Sequence, residues 1–155
     1  MIRYARSDDI PRILQLIKAL AEYEKAPHEA IATAQQLQES FFGPNPHAFA
    51  HVAEFEGEVV GLSIWFLNYS TWLGKPGVYL EDLFVDPAHR GNGFGLALLK
   101  ELAKICIERG YERLQWWVLD WNEPSIDFYQ SLGAVAMDEW TIYRISGEAL
   151  KKLGA

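Results

Sequence analysis

One stretch decides the fold of this 155-residue chain, and between Val78 and Gly110 it reads VYLEDLFVDPAHRGNGFGLALLKELAKICIERG. Residues 78–85 predict a strand that ends at Asp86-Pro87. Residues 96–109 predict an amphipathic helix that Gly110 ends at the C′ position. A glycine-rich turn joins the two, so the stretch predicts a strand, a turn and a helix in direct succession.

The turn reads Arg90-Gly91-Asn92-Gly93-Phe94-Gly95. Its glycines leave main-chain N–H groups open to an anion, and the positive end of the following helix adds to the attraction. The P-loop is excluded because no Gly-Lys-Ser/Thr triplet follows, and the dinucleotide fingerprint because Leu96 stands where it needs Gly or Ala. A phosphate or pyrophosphate site is therefore expected, and a glycine turn without a ligand stays the alternative.

Composition sets outer limits on the function. The chain has a mass of 17.7 kDa, is half hydrophobic and carries a net charge of −7, which indicates a globular protein and argues against nucleic acid as a partner. It lacks the roughly 20 consecutive apolar residues of a membrane helix. The N-terminal residues lack the apolar core of a signal peptide, so we expect a cytoplasmic protein without a membrane partner.

Outward from the central stretch, the elements alternate in the order β-α-α-β-β-β-α-β-α-β. Ser7 is expected to cap the first helix, and Thr33 with Gln36 forms a capping box for the second. We predict one domain, residues 1–155, of the α/β class with a mixed sheet and helices on both faces. The remaining predicted elements are strands at 2–5, 48–55, 58–67, 113–119 and 140–145, a helix at 125–132 and a short helix from Glu148.

These motifs together resemble one family. Arg90-x-x-Gly93-x-Gly95 after a strand looks like motif A of the GNAT superfamily of N-acetyltransferases. Segments 20–25, 69–72, 79–82 and 118–129 resemble the diamine acetyltransferase branch, which includes the spermidine/spermine and thialysine enzymes. The resemblance implies a GNAT fold with a central sheet of six to seven strands, acetyl-CoA as co-substrate and a homodimer.

The resemblance also assigns the coenzyme site. The turn would hold the pyrophosphate through its amides, and the end of the preceding strand would present backbone groups to the pantetheine arm. A further segment around the predicted fourth helix would contact the rest of the coenzyme. The implied coenzyme-binding residues are Leu83, Phe84, Val85, Arg90, Gly91, Asn92, Gly93, Phe94, Gly95, Leu96, Asn122, Pro124, Ser125 and Tyr129.

Two residues are expected to carry the chemistry. A phenol can donate a proton while neutral at pH 7, and the resemblance places Tyr129 near the CoA sulfur as the acid. Glu81 would assist deprotonation of the amine, directly or through water. Because side chains alternate along a strand, Glu81 and Asp82 are expected on opposite faces, so that only one easily faces the substrate. Spacing alone favours Tyr129 as an aromatic packing residue beside Phe128, and the resemblance reverses that preference.

The acceptor amine site is implied at Tyr23, Glu24, Trp72, Glu81 and Asp82. The spermidine/spermine enzymes carry an aspartate where this chain has Ser70, so the chain looks more like the thialysine branch. We expect a small primary amine such as a lysine analogue or a short diamine. The alternatives are acetylation of a protein or peptide amine, a non-catalytic acyl-CoA sensor, and a nucleotide-binding module.

No metal is expected. The histidines have no metal-ligand spacing, and Cys106, the single cysteine, lies on the buried stripe of its helix as a structural thiol. The four histidines are His28, His47, His51 and His89.

Overall fold

The computed structural model describes all residues from Met1 to Ala155. The chain forms two compact units, Met1–Trp117 and Val118–Ala155. The first unit holds a single sheet, and the second holds two short helices. The prediction of one domain over the whole chain stays a prediction.

The sheet has five strands in the order β1-β2-β3-β4-β5. Neighbouring strands are antiparallel except for β4 and β5, which are parallel because α3 crosses over between them. The mixed sheet is therefore confirmed. The strands are β1 Ile2–Tyr4, β2 Phe49–Phe55, β3 Glu58–Ser70, β4 Lys75–Val85 and β5 Leu114–Trp116.

Five helices accompany these strands: α1 Ile10–Tyr23, α2 Ala34–Phe42, α3 Phe94–Arg109, α4 Glu123–Ser131 and α5 Gly147–Leu153. The capping box of α2 is confirmed, since the Thr33 hydroxyl accepts from the Gln36 N–H at 3.2 Å while the Gln36 side chain accepts from the Thr33 N–H at 2.9 Å. None of the helices combines the length and the apolar character that crossing a membrane requires.

The start of the first helix differs from the prediction. Ser7 opens a 3-10 turn, Ser7–Asp9, and its hydroxyl donates to Gln38 at 2.6 Å instead of capping. The helix proper begins at Ile10. The carboxylate of Asp9 accepts from the Arg6 N–H at 2.7 Å and pairs with Arg3 at 2.8 Å. Asp9 therefore stabilises the chain reversal between β1 and α1.

Helices cover both faces of the sheet, as predicted. Val52 and Ala53 are adjacent in β2 and therefore point to opposite faces. Val52 joins a core with Ile13 of α1 and Phe41 of α2, whereas Ala53 joins a second core with Leu98 of α3. The first unit is thus a three-layer arrangement that fixes α1 and α3 on opposite sides of β4.

The expected six to seven strands were too many. Residues 140–145, predicted as the last strand, pair with no strand, and β5 is shorter than the predicted 113–119. An apolar run of residues has a high local propensity for a strand, but a strand also needs a neighbouring strand with which to form hydrogen bonds. The side chains of this segment are exposed, Tyr143 to 92%.

Candidate active site

Four carboxylates line one open cleft of about 250 Å³ in the first unit. Glu24 follows the last residue of α1, and Glu29 ends the 3-10 turn Pro27–Glu29. Glu81 and Asp82 come from the middle of β4. The other residues that line the cleft are Ile17, Leu20, Ala21, Ala26 and Ala30.

A β-bulge brings the two β4 carboxylates to the same cleft. In the β3–β4 register, Ile64 pairs with Asp82 and Trp65 pairs with Leu80, which leaves Glu81 without a partner. An extra residue in one strand disrupts the alternation of side chains. The expectation that Glu81 and Asp82 would face opposite sides was therefore wrong, because it assumed a regular strand.

Crowding of negative charge changes the protonation of this cleft. Burial, reinforced by the nearby charges of Glu81 and Glu24, raises the pKa of Asp82 to about 7. Burial and the charge of Glu81 also raise the pKa of Glu24 above its ordinary value. None of the four carboxylates belongs to an ion pair within the protein. A cleft of this kind attracts cations and holds a carboxyl that exchanges its proton near neutral pH.

The glycine turn presents a row of main-chain donors. Gly91 and Gly93 have φ of 81° and 82°, a conformation that favours glycine. The first helical hydrogen bond of α3 runs from the Ala97 N–H to the Gly93 carbonyl at 3.0 Å, so the preceding N–H groups have no helical acceptor. A Cβ at Gly95 would touch only Val85, at 3.9 Å, which leaves open space over these donors. This arrangement suits an anion such as a diphosphate.

The turn is fixed to the body of the first unit at its start. The Asp86 carboxylate accepts from the Ala88 N–H at 3.0 Å and pairs with Arg12 of α1 at 2.7 Å. Within the turn, the Asn92 amide donates to the His89 carbonyl at 3.0 Å. The donor row is therefore held in shape by side chains of its own loop and by α1.

Arg90 contacts the end of α1 and the end of β4. Its guanidinium carbon lies 5.3 Å from the centre of the Tyr23 ring and 5.2 Å from the centre of the Phe84 ring. Its Nε donates to the Val85 carbonyl at 3.1 Å. Arg90 thus connects the glycine turn with the last residue of α1 and with the end of β4.

The far end of β4 has a strand edge free of β5. The strand β5 pairs with β4 only at Val78, Tyr79 and Leu80, although β4 continues to Val85. The backbone of Leu83, Phe84 and Val85 therefore has a strand neighbour on the β3 side only. A strand edge of this kind can bind an extended ligand through main-chain hydrogen bonds.

The remaining expected coenzyme residues lie in the second unit, at the start of α4. Asn122 occupies the N-cap position and is buried, but its side chain makes no capping hydrogen bond, contrary to the simplest expectation for Asn before Pro. Pro124 and Ser125 lie in the first turn of the helix. Tyr129 lies one turn further along, half-buried, with its ring centre 5.6 Å from that of Phe128.

Trp72 lies in the turn between β3 and β4 and is 80% exposed. In the same turn, the Ser70 hydroxyl accepts from the Leu73 N–H at 3.2 Å. Ser70 therefore stabilises the turn, in the place where the resemblance would put a carboxylate in the spermidine/spermine enzymes.

Sequence reasoning missed Glu29 as part of the acidic cleft. Pro27 in the first position of a short turn indicated that the chain folds back after α1, and the Ala26 N–H donates to the Ala21 carbonyl at 2.9 Å to make that reversal. Nothing in the local sequence indicated that the reversal would bring Glu29 to β4. The structure also groups no three His, Cys, Asp or Glu side chains in an arrangement that could hold a metal ion, and the absence of a metal stays a prediction.

Comparison with known proteins identifies the class. Residues 10–134 match the model of the Acetyltransferase (GNAT) family, and the chain belongs to that family. Thialysine N-epsilon-acetyltransferase of Bos taurus is 38% identical over 99% of this chain and 96% of its own length. Spermidine/spermine N(1)-acetyltransferase-like protein 1 of Homo sapiens is 35% identical over 96% of this chain, which corresponds to 23% of that protein. An integron cassette protein from the mobile metagenome of V. cholerae shares the fold with a TM-score of 0.83, at 27% identity over 99% of this chain and 96% of that one.

The chain is therefore an N-acetyltransferase of the diamine acetyltransferase branch, and acetyl-CoA is its co-substrate. The residues of the first unit fit that molecule, since the donor row at the start of α3 suits a diphosphate and the free edge of β4 suits an extended arm. Acetyl-CoA supplies the acetyl group as a thioester.

Proposed function

We propose that this enzyme acetylates a primary amine of a small molecule that carries a second positive charge, such as a short diamine, a polyamine or thialysine. The observation that carries the proposal is the cleft lined by Glu24, Glu29, Glu81 and Asp82, none of which has an ion-pair partner. The names of the curated relatives, thialysine and spermidine/spermine acetyltransferases, support the same substrate class.

The charge of the cleft explains why a second cation helps. The reacting nitrogen must lose its proton before it can attack, and an alkylamine has a pKa of about 10.4. After that proton leaves, a monoamine has no positive charge left to form an ion pair with the carboxylates of the cleft. A second ammonium group on the same molecule remains charged and pairs with them, so both binding and deprotonation are favoured.

The proposed proton transfers use Glu81, Asp82 and Tyr129. The amine gives its proton to the Glu81–Asp82 pair, directly or through water, and the nitrogen bonds to the acetyl carbon as the carbon–sulfur bond breaks. Asp82 is suited to this exchange because its pKa lies at about 7. Tyr129 donates a proton to the departing sulfur, and the second proton that the nitrogen loses on becoming an amide restores the phenol.

The proposed coenzyme contacts follow the expected residues. Amides of Gly91, Asn92, Gly93, Phe94, Gly95 and Leu96 would hold the diphosphate. The backbone of Leu83, Phe84 and Val85 would bind the extended arm, and an amide there would polarise the thioester carbonyl. Asn122, Pro124 and Ser125 are the further proposed coenzyme contacts.

The experiment is an acetyl-transfer assay, read as CoA thiol release, over 1,4-diaminobutane, spermidine, spermine, thialysine, lysine, a lysine peptide and n-butylamine. We expect kcat/KM for the preferred dicationic amine to exceed that of n-butylamine by at least about tenfold, which corresponds to 1.4 kcal/mol. Equal values for both would overturn the role of the cleft. Spermine turnover far above that of thialysine and the short diamine would contradict the preference for a small acceptor.

Two variants test which carboxylates bind the second ammonium group of the amine. Glu24→Gln and Glu29→Gln each remove one charge from the cleft while keeping the side-chain shape. We expect both to lower kcat/KM for the dicationic amine more than for n-butylamine. Glu58→Gln is the matched control, since Glu58 is an exposed carboxylate at the start of β3 and does not line this cleft.

We also propose a homodimer and a cytoplasmic location, without nucleic-acid or membrane partners. Exposed apolar side chains in the second unit support self-association, among them Val135, Met137, Ile142, Tyr143 and Ile145. Cell fractionation tests the location.

A further inference from the structure

Arg90 makes contacts that its place in the glycine motif does not require. A guanidinium in a phosphate-binding loop is expected to reach the anion. Here it lies over the rings of Tyr23 and Phe84, at 5.3 Å and 5.2 Å from their centres, and its Nε is engaged by the Val85 carbonyl at 3.1 Å.

The two rings belong to different parts of the site. Tyr23 ends α1 and directly precedes Glu24 of the acidic cleft. Phe84 is buried near the end of β4, on the strand edge suited to the coenzyme arm. One side chain therefore ties the amine side of the site to the coenzyme side.

Helix α1 is tied to the same loop at both of its ends. Near its N-terminus, Arg12 pairs with Asp86 at 2.7 Å and donates to the Val59 carbonyl at 2.9 Å. At its C-terminus, Tyr23 contacts Arg90, four residues after Asp86. Beyond Tyr23 the chain reverses into the turn Pro27–Glu29, so the contact with Arg90 fixes the point from which Glu24 and Glu29 are presented.

We propose that Arg90 is a positioning residue for the acceptor amine: its planar guanidinium, packed on Tyr23 and Phe84, holds the end of α1 against β4 and does not bind the diphosphate. This inference rests on the proposed function for the identity of the amine. It separates two roles that a basic residue in this motif could have.

The two roles differ in what a lysine can replace. Lysine keeps the positive charge that a diphosphate needs, but it lacks the planar group that stacks on two rings. Stacking of Arg90 should therefore be lost in both Arg90→Lys and Arg90→Gln, whereas binding of a diphosphate would be lost only in Arg90→Gln.

The test measures KM and kcat for the preferred amine, and the Kd of CoA by calorimetry without any amine. We expect both variants to raise KM for the amine by about fivefold or more, from the loss of two cation–π contacts, with kcat and the Kd of CoA within twofold of the parent. Arg109→Lys is the matched control. It removes a guanidinium packed on Trp65 at 5.7 Å, at the far end of α3, and should leave all three constants unchanged.

Two results would overturn the inference. One is an unchanged KM for the amine in both variants. The other is a Kd for CoA that rises in Arg90→Gln and is restored in Arg90→Lys, which would show that the charge of Arg90 binds the diphosphate. The CoA titration needs no turnover, so it decides between the two roles even if no amine is acetylated, an outcome that would refute the proposed function instead.

Discussion

At the scale of single residues, Asp82 couples the chemistry of the cleft to the stability of the protein. Its pKa is about 7 in the folded protein, because burial and the charges of Glu81 and Glu24 oppose its ionisation, against an ordinary value of 3.8. Between these two values the folded chain holds a proton that the unfolded chain has released. The contribution of Asp82 to stability therefore falls as the pH rises from about 4 to about 7.

Asp82→Asn should remove this loss. At pH 5 the parent carboxyl is mostly protonated in the folded state, so only part of this loss has occurred. At pH 8 the parent buries a charge that the variant lacks, so the free energy of unfolding of the variant should improve relative to the parent by about 1–3 kcal/mol between the two pH values. Urea unfolding at pH 5 and pH 8 measures the difference. A pH-independent difference would show that Asp82 titrates normally.

Tyr129 is the residue proposed to protonate the sulfur, and its phenol can be removed with little change of shape. Tyr129→Phe should lower kcat by about tenfold to a hundredfold and leave the Kd of CoA within twofold, since only the transition state uses the hydroxyl. Steady-state kinetics and a CoA titration measure the two effects. An unchanged kcat would exclude Tyr129 from the mechanism.

At the scale of elements, α3 begins and ends with a glycine in the left-handed region. Gly93 has φ of 82° at the N-cap and Gly110 has φ of 73° at the C-terminal end, and at neither position would a Cβ meet another atom within 4 Å. An alanine substitution at either position therefore imposes the same backbone strain, at opposite ends of one helix. Only the Gly93 end carries the donor row.

Gly93→Ala and Gly110→Ala should each lower stability by about 1–2 kcal/mol, because both residues would adopt the left-handed conformation with a side chain. Only Gly93→Ala should weaken CoA binding, by about tenfold or more, since it alone displaces the N–H groups of the glycine turn. Chemical unfolding and CoA calorimetry on the two variants measure this pair of effects. An equal loss of CoA affinity in both variants would mean that general destabilisation, and not the donor row, is responsible.

At the scale of the whole molecule, the proposed dimer depends on apolar side chains that the chain leaves exposed. Tyr143 and Ile142 lie in residues 140–145, the segment that has strand-like sequence but no strand partner. Exposed apolar patches of this kind are typical of association surfaces.

Light scattering with size exclusion should give twice the chain mass of 17.7 kDa for the parent. Tyr143→Lys should shift the mass toward a single chain, because a charged side chain in an apolar interface carries a desolvation cost. The exposed Lys151→Glu, in α5, is the control for a change of charge alone. A parent protein that runs as a single chain would refute the dimer.

Local signals in the sequence predicted most of the first unit correctly. The capping box of Thr33 and Gln36, the hairpin of β2 and β3 and the glycine stop of α3 all depend on residues within a few positions of each other. The last predicted strand failed because a ladder requires a partner that propensity does not supply. The motif from Arg90 to Gly95, together with segments 20–25, 69–72, 79–82 and 118–129, identified the family.

The sequence by itself thus determined the class of enzyme, its coenzyme and the position of the donor row, since these depend on consecutive residues whose backbone chemistry is local. Only the tertiary structure decided that Glu81 and Asp82 share one cleft, that Glu29 joins them, and that Arg90 packs on Tyr23 and Phe84. The register that leaves Glu81 unpaired joins residues of β3 and β4 that lie more than a dozen positions apart. The contacts between α1 and β4 join residues more than fifty positions apart. Such pairings depend on how the helices pack on the sheet, and local sequence patterns do not predict them.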